Sequence, residues 1–112
     1  MYGIEVRESG AGPLIELWGE FDVFCLDELK RALTDVSPRR GAVMVDLSGI
    51  SFLDLQSARE LAVRSLLYAH YLTFLDPSPQ VMATVRALGL EGWLNIRAGT
   101  GRDESRVVSG VL

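Results

Sequence analysis

The chain has 112 residues, of which 48% are hydrophobic and 23% are charged, and its formal net charge is −4 at pH 7. A chain of this length and balance is expected to form one globular domain around a single core. The modest negative charge argues against nucleic acid or an anionic membrane surface as a partner, because both attract a clustered basic surface.

Cysteine usage and the apolar segments indicate the cellular compartment. Cys25 is the only cysteine, so no internal disulfide can form, as is typical of a reducing cytoplasm. Glu5, Arg7 and Glu8 interrupt any apolar leader, which predicts that no signal peptide is present. The longest apolar stretch, residues 66–75, is too short to span a bilayer. We therefore expect a cytoplasmic protein.

The first part of the chain predicts a β-hairpin. Residues 3–8 alternate between apolar and charged side chains, with Ile4 and Val6 on one side, as in a half-buried strand. Residues 9–13 are a cluster of turn-favouring residues, and residues 14–18 alternate again. Two such segments joined by a short turn are typical of antiparallel strands.

A first helix is predicted after the hairpin. Residues 19–22, Gly-Glu-Phe-Asp, close the second strand, and Asp22 is placed to cap a helix that runs to about Val36. The apolar stripe of this helix consists of Leu26, Leu29, Leu33 and Val36. Residues 37–41 contain the proline and glycine that would end the helix and turn the chain.

The central segment predicts a buried strand that leads into a second helix. Val43 to Leu47 is a short apolar run rich in β-branched residues, as in a strand covered on both faces. A turn is predicted at Ser48 and Gly49, and Asp54 is placed to cap a helix that runs to Tyr68 or Ala69. Because partners and ligands bind where parallel strands end and helices begin, the functional site is expected near Asp54.

The remaining segments complete an α/β pattern. Residues 72–75 predict a fourth strand, and Ser78 with Pro79 predicts the start of a third helix that ends at Gly89. The buried face of this helix is predicted to consist of Val81, Met82, Val85 and Leu88. Residues 93–96 predict a fifth strand at a sheet edge. The order β-β-α-β-α-β-α-β predicts a leading hairpin, a mostly parallel mixed sheet and helices packed on it.

The central segment resembles the STAS domain family. The resemblance rests on Asp-Leu at residues 46–47, Phe-Leu-Asp at residues 52–54 and the Ala/Leu-rich helix that follows. Residues 19–22 also resemble the Gly-Glu-Leu-Asp segment of this family. The resemblance covers residues 3–97, and residues 98–112 are assigned to a tail that forms a short helix, a dimer contact or partly disordered chain. It implies a non-catalytic anti-sigma factor antagonist. Such a protein binds an anti-sigma factor, usually one with a kinase-like ATPase fold, and frees a sigma factor.

The resemblance also implies a partner-binding surface and a change in its regulation. The surface is assigned to Glu20, Asp22, Asp54, Leu55, Gln56 and Ser57. Family members read Asp-Ser-Ser-Gly or Asp-Ser-Thr-Gly at the helix start, with a regulatory serine directly after the aspartate, whereas this chain has Leu55 there. Ser57 is the remaining phosphorylation candidate or a plain first-turn serine. Likewise, Asp54 contacts the partner or only caps the helix, and Leu55 is an anchor or an ordinary exposed leucine.

Catalysis and cofactor binding are not expected. His70 is the only histidine, it has no Cys or carboxylate cluster at ligand spacing, and no metal site is predicted. The glycine-rich segments lack a phosphate-loop or dinucleotide fingerprint, so no cofactor is predicted either. Trp18 and Trp93 are interpreted as core or edge packing.

Two other classes of function stay open. One is a structural role, as a STAS subunit of a stress-sensing scaffold or an accessory subunit of a lipid-transporting ABC ATPase. The other is a small nucleotide-binding protein or enzyme, against which the lack of a convergent acid, base and nucleophile set argues. A homodimer is a further option.

Overall fold

The computed structural model describes residues 1–35, 42–68 and 71–97. Its strands are β1 (Tyr2–Ser9), β2 (Gly12–Phe21), β3 (Val43–Leu53), β4 (Leu72–Leu75) and β5 (Ile96–Arg97). Its α-helices are α1 (Leu26–Asp35), α2 (Leu55–Leu67) and α3 (Pro79–Ala87). The element order is the one that the sequence predicts. The end predicted for the first helix at Val36, the turn at residues 37–41, His70 and the tail lie outside the described residues.

The strands form one mixed sheet in the order β1-β2-β3-β4-β5. The β1–β2 pair is antiparallel, and the three following pairs are parallel. Because the parallel strands follow one another across the sheet in chain order, right-handed crossovers place all connecting helices on the same face. The predicted α/β architecture with a leading hairpin is confirmed.

The core lies between this face of the sheet and the helices. Its largest buried side chains come from both layers, for example Ile15 and Phe74 from strands and Leu29, Leu33 and Leu61 from helices. The edge strand β1 extends beyond the part of the sheet that the helices cover. Ile4 packs against the core, but Val6 is 50% exposed, so the apolar side of the predicted half-buried strand is covered at Ile4 and only partly covered at Val6.

Strand β3 is longer than the sequence predicts. It continues through Ser48 and Gly49, where a turn was expected, because β2 runs beside it as far as the pair Phe21 and Leu53. The ladder shifts register between the pairs Glu16–Asp46 and Trp18–Gly49, so β3 accommodates an extra residue as a bulge. An added Cβ at Gly49 would lie 2.9 Å from the Cβ of Trp18, so glycine here permits close packing rather than a turn.

The predicted ends of α3 are confirmed, but the predicted fifth strand is only partly correct. The Ser78 hydroxyl accepts a hydrogen bond from the Val81 N–H, and Gly89 has a φ of 70° after the last turn. Trp93, predicted to lie in a strand, instead closes a 3-10 turn over Glu91–Trp93. The reason lies two residues further along the chain, since the Asn95 N–H donates to the Ser65 hydroxyl of α2 at 2.7 Å and not to a strand.

Candidate functional site

Two loops lie side by side at one edge of the sheet. The parallel strands β2 and β3 end together at the pair Phe21 and Leu53, and the Asp54 N–H donates to the Phe21 carbonyl at 3.0 Å. Each strand is followed at once by an aspartate, Asp22 or Asp54. The two loops that the sequence assigns to one surface are therefore adjacent.

Both aspartates cap the helices that they precede. The Asp22 carboxylate accepts from the Phe24 N–H at 3.0 Å, and the Asp54 carboxylate accepts from the Ser57 N–H at 2.8 Å. Asp54 caps α2 as predicted, whereas Asp22 caps a 3-10 turn, Val23–Cys25, that precedes α1. A carboxylate has about four lone-pair sites, so each cap retains acceptor capacity for a partner's donor.

A neutral thiol lies behind the two aspartates. Cys25 is buried, and its Sγ lies 3.5 Å from the Asp22 carbonyl oxygen. Burial raises the pKa of the Cys25 thiol above its ordinary value, and the negative charges of Asp22 and Asp54 add to the rise. A thiolate is the reactive form of cysteine, so this thiol is expected to be inert in the folded protein.

Exposed apolar side chains flank the two carboxylates. Leu55, the first residue of α2, is 58% exposed, and Phe24, in the turn after Asp22, is 93% exposed. Leu55 was identified from the sequence, but Phe24 was missed. Its position contained a usable signal, since it lies between the capping aspartate and Leu26, outside the apolar stripe of the helix.

An apolar groove extends from Leu55 toward α3. Its volume is about 410 Å³, and its lining includes Phe52, Leu55, Ala83 and Ala87. The Thr84 hydroxyl lies 3.2 Å from the Leu53 carbonyl oxygen, which joins α3 to the end of β3. Phe52 is itself 50% exposed and was not among the predicted site residues. The groove therefore places apolar surface next to the Asp54 cap.

The other predicted site residues divide into surface and core. Glu20 and Gln56 are exposed, and Asp22 and Asp54 are half-buried. Ser57 has zero exposure, and its Oγ has no hydrogen-bond partner in the part of the chain that the structure describes. The third residue of α2 turns its side chain into the core. This burial opposes both assignments made for Ser57, its place on the binding surface and its phosphorylation, and both stay predictions.

Residues 1–35, 42–68 and 71–97 contain neither a metal-binding cluster nor a helix that could span a membrane. Within these ranges no three His, Cys, Asp or Glu side chains are grouped so that they could hold a metal ion. Within the same ranges, none of the helices has the length and apolar content needed to cross a membrane. Trp18 and Trp93 are 46% and 43% exposed, so they lie at the edge of the packing rather than within it.

Two solved structures share this fold. A crystal structure of an anti-sigma factor antagonist from Mycobacterium paratuberculosis matches with a TM-score of 0.73 and 18% sequence identity, over 86% of this chain and 85% of that chain. The anti-sigma factor antagonist SpoIIAA in its unphosphorylated form matches with a TM-score of 0.68 and 17% identity, over 98% of this chain and 99% of that chain. At these identities the likeness shows a common fold.

Sequence comparison supplies the family. No curated protein matches this chain significantly. A family model described as "Mlab, STAS domain" matches residues 4–97, which include both loops, the groove, most of β1 and all of the other four strands. The chain belongs to the STAS domain family.

Proposed function

We propose that this STAS domain is a non-catalytic anti-sigma factor antagonist, which binds an anti-sigma factor and so frees a sigma factor. The observation that carries the proposal is the exposed Leu55 beside the capped Asp54, next to the Asp22 loop. Both structures of similar fold described above are anti-sigma factor antagonists, which supports the same role here.

The chemistry of the site indicates what the partner must offer. Leu55 and Phe24 need an apolar pocket, because exposed apolar side chains near the centre of an interface supply much of its affinity. Asp22, Asp54 and Glu20 favour basic groups around that pocket, since complementary charges direct association. We propose an anti-sigma factor with a kinase-like ATPase fold as this partner.

The complex is proposed to lack the usual phosphoserine switch. Leu55 occupies the position directly after the aspartate and has no hydroxyl group to accept phosphate. The nearest alternative, Ser57, has zero exposure, so a kinase would have to open the first turn of α2 to reach it. We therefore infer that phosphorylation in the first turn of α2 does not regulate binding.

The test replaces Leu55 in the intact protein. Leu55→Asp should weaken binding to the anti-sigma factor by more than about 1 kcal/mol and leave the melting temperature nearly unchanged. Leu66→Asp is the matched control, because Leu66 lies on the same helix and is also 58% exposed. Isothermal titration and thermal melting give the two quantities.

Either of two results would contradict the proposal. If both variants bind like the wild type, the Leu55 surface is not the interface. If Leu55→Asp melts far below Leu66→Asp and binds normally, Leu55 has a structural role.

The groove beside Leu55 favours a second candidate, a permanent subunit. An apolar groove of about 410 Å³ and a leucine in place of the phosphoacceptor suit a contact that is not released. The partner would then be a stress-sensing scaffold or a lipid-transporting ABC ATPase. A pull-down from native lysate with mass spectrometry separates the candidates, since a scaffold or transporter subunit would take the place of an anti-sigma factor.

A further inference from the structure

Strand β1 has one side of its backbone turned away from the sheet. Among the strands of residues 1–35, 42–68 and 71–97, it lies at the edge of the order and pairs only with β2. The Glu20 N–H donates to the Met1 carbonyl at 2.9 Å, so odd-numbered residues direct their backbone groups toward β2. Because the bonds of an antiparallel ladder alternate, Ile4 and Val6 direct theirs outward. The middle of the strand is open, with Val6 50% exposed.

The charges on β1 are incompletely matched within one molecule. Glu5 lies directly opposite Glu16 of β2, and like charges in this position are destabilising. Arg7 forms an ion pair with Glu16 at 2.6 Å. No cation forms an ion pair or hydrogen bond with Glu5 among the residues that the structure describes. Glu5 thus faces a like charge, and the nearby arginine is paired with the opposing acid.

We propose that β1 is a dimerisation edge, at which a second copy of this chain pairs antiparallel about a twofold axis at Val6. In this register Val6 exchanges both backbone hydrogen bonds with the partner's Val6, and Glu5 lies opposite the partner's Arg7. The pairing joins two five-stranded sheets into one continuous sheet. It uses the backbone groups that β2 leaves free.

In this register, the side chains of β1 lie opposite side chains of complementary charge or polarity in the partner's β1. Glu5 and the partner's Arg7 form a pair without backbone hydrogen bonds, where Cα atoms approach to about 4.5 Å and side chains are closest. The twofold axis repeats this contact between Arg7 and the partner's Glu5. On the other face of the sheet, Val6 covers the partner's Val6 and removes apolar surface from water. A second copy supplies a cation opposite Glu5, which pairs with none among the described residues, and it covers the exposed part of Val6.

The test exploits the twofold axis through charge reversal. Glu5→Arg alone places two arginines opposite each other at each contact, and Arg7→Glu alone places two glutamates there. Each single variant should raise the dimer dissociation constant at least about tenfold, because two attractive pairs become two repulsive pairs. An equimolar mixture of the two variants restores opposite charges at both contacts and should form a heterodimer as tightly as the wild type.

Sedimentation velocity of the full chain, between about 10 μM and about 1 mM, covers the range of a weak interface. Val6→Pro is a further variant, because the Val6 N–H is not used by β2 and proline is tolerated at such an edge position. Circular dichroism should show that this variant is folded, and sedimentation velocity should show that it is monomeric. This variant keeps the test valid if Arg7→Glu does not fold.

Three outcomes would overturn the proposal. The first is a wild-type protein that stays monomeric over the whole concentration range. The second is a dimer that persists in Val6→Pro, which would place the interface elsewhere. The third is a mixture of Glu5→Arg and Arg7→Glu that stays monomeric while the wild type dimerises. Binding of the anti-sigma factor is measured separately, so failure here leaves the proposed function standing.

Discussion

At the scale of single residues, two buried serines of α2 differ in whether their hydroxyl groups have a partner. Ser65 accepts a hydrogen bond from the Asn95 N–H at 2.7 Å, which ties the helix to the chain before β5. The Ser57 hydroxyl has no partner within the described part of the chain. A buried hydroxyl without a hydrogen bond costs free energy, whereas a bonded one contributes to stability.

The two serines therefore predict opposite effects of the same substitution. Ser57→Ala should raise the free energy of unfolding by about 1 kcal/mol, because it removes an unsatisfied polar group. Ser65→Ala should lower it by about 1–3 kcal/mol, because the Asn95 N–H loses its acceptor. Urea unfolding of the two variants and the wild type measures both. Equal losses in the two variants would show that the Ser57 hydroxyl is bonded in solution.

A second prediction at this scale concerns the position after Asp54. Leu55→Ser restores a hydroxyl at a site that is 58% exposed in the wild type, so a kinase-type partner with ATP should phosphorylate it. The wild type should be labelled little, since Leu55 cannot accept phosphate and Ser57 is buried. Mass spectrometry of the incubated proteins locates any phosphate.

Ser57→Ala is the control in this experiment. Rapid labelling of the wild type at Ser57, lost in Ser57→Ala, would show that the first turn of α2 opens. Lack of label in Leu55→Ser would indicate that the partner is not a kinase and would favour the permanent-subunit candidate.

At the scale of the elements, the site depends on how two strands pass into helical turns. Asp22 and Asp54 each accept a hydrogen bond from an N–H two or three residues later. The first N–H groups of a helix have no partner within the helix, and a carboxylate accepts a hydrogen bond from one of them. Its negative charge also interacts favourably with the positive end of the helix dipole. Both side chains are half-buried, so the partner binding proposed for them would use the same groups as the caps.

Substitution of Asp54 separates capping from recognition. Asp54→Ala should lower the free energy of unfolding by about 1 kcal/mol, whereas Asp54→Asn should cost only a few tenths, because asparagine is an equally good cap. If the partner reads the carboxylate, Asp54→Asn should still weaken binding, because charge-assisted hydrogen bonds are about twice as strong as neutral ones. Melting curves and titrations of both variants give the answer. Normal binding by Asp54→Asn would limit Asp54 to a capping role.

At the scale of the whole molecule, a buried thiol couples global stability to pH. Burial raises the pKa of Cys25 in the folded protein, so the folded state holds the thiol proton more tightly than the unfolded state does. The stabilisation is complete below the unfolded thiol pKa of about 8.5. It is lost as pH rises through the higher folded value. Stability should therefore decline above about pH 8.5.

Cys25→Ala is the control for this pH dependence. Two tyrosines among the described residues also have raised pKa values. The pKa of Tyr71 is raised chiefly by burial, and the pKa of Tyr2 is raised to about 12 chiefly by its hydrogen bond with Glu28. In Cys25→Ala the decline should thus begin nearer the ordinary tyrosine pKa of about 10. Urea unfolding from pH 7 to pH 10.5 compares the two profiles. An identical onset in both proteins would show that Cys25 does not control it.

The sequence by itself determined the features that depend on local chemistry. Alternation and helical spacing predicted the α-helices and strands of the described residues in their correct order, because these periods reflect which side chains one face must bury. The caps at Asp22, Asp54 and Ser78 followed from side chains that accept from free N–H groups. The exposure of Leu55 followed in the same way, from its place in the first turn.

Only the tertiary structure decided the features that depend on neighbours distant in the chain. Ser48 and Gly49 resemble a turn locally, but pairing with β2 extends the strand through them, because a ladder satisfies backbone groups that a turn would leave to water. Ser57 is buried by the packing of α2 on the core. Val6 is exposed because β1 lies at the edge of the sheet. Such outcomes require the positions of other elements, which a local pattern does not contain.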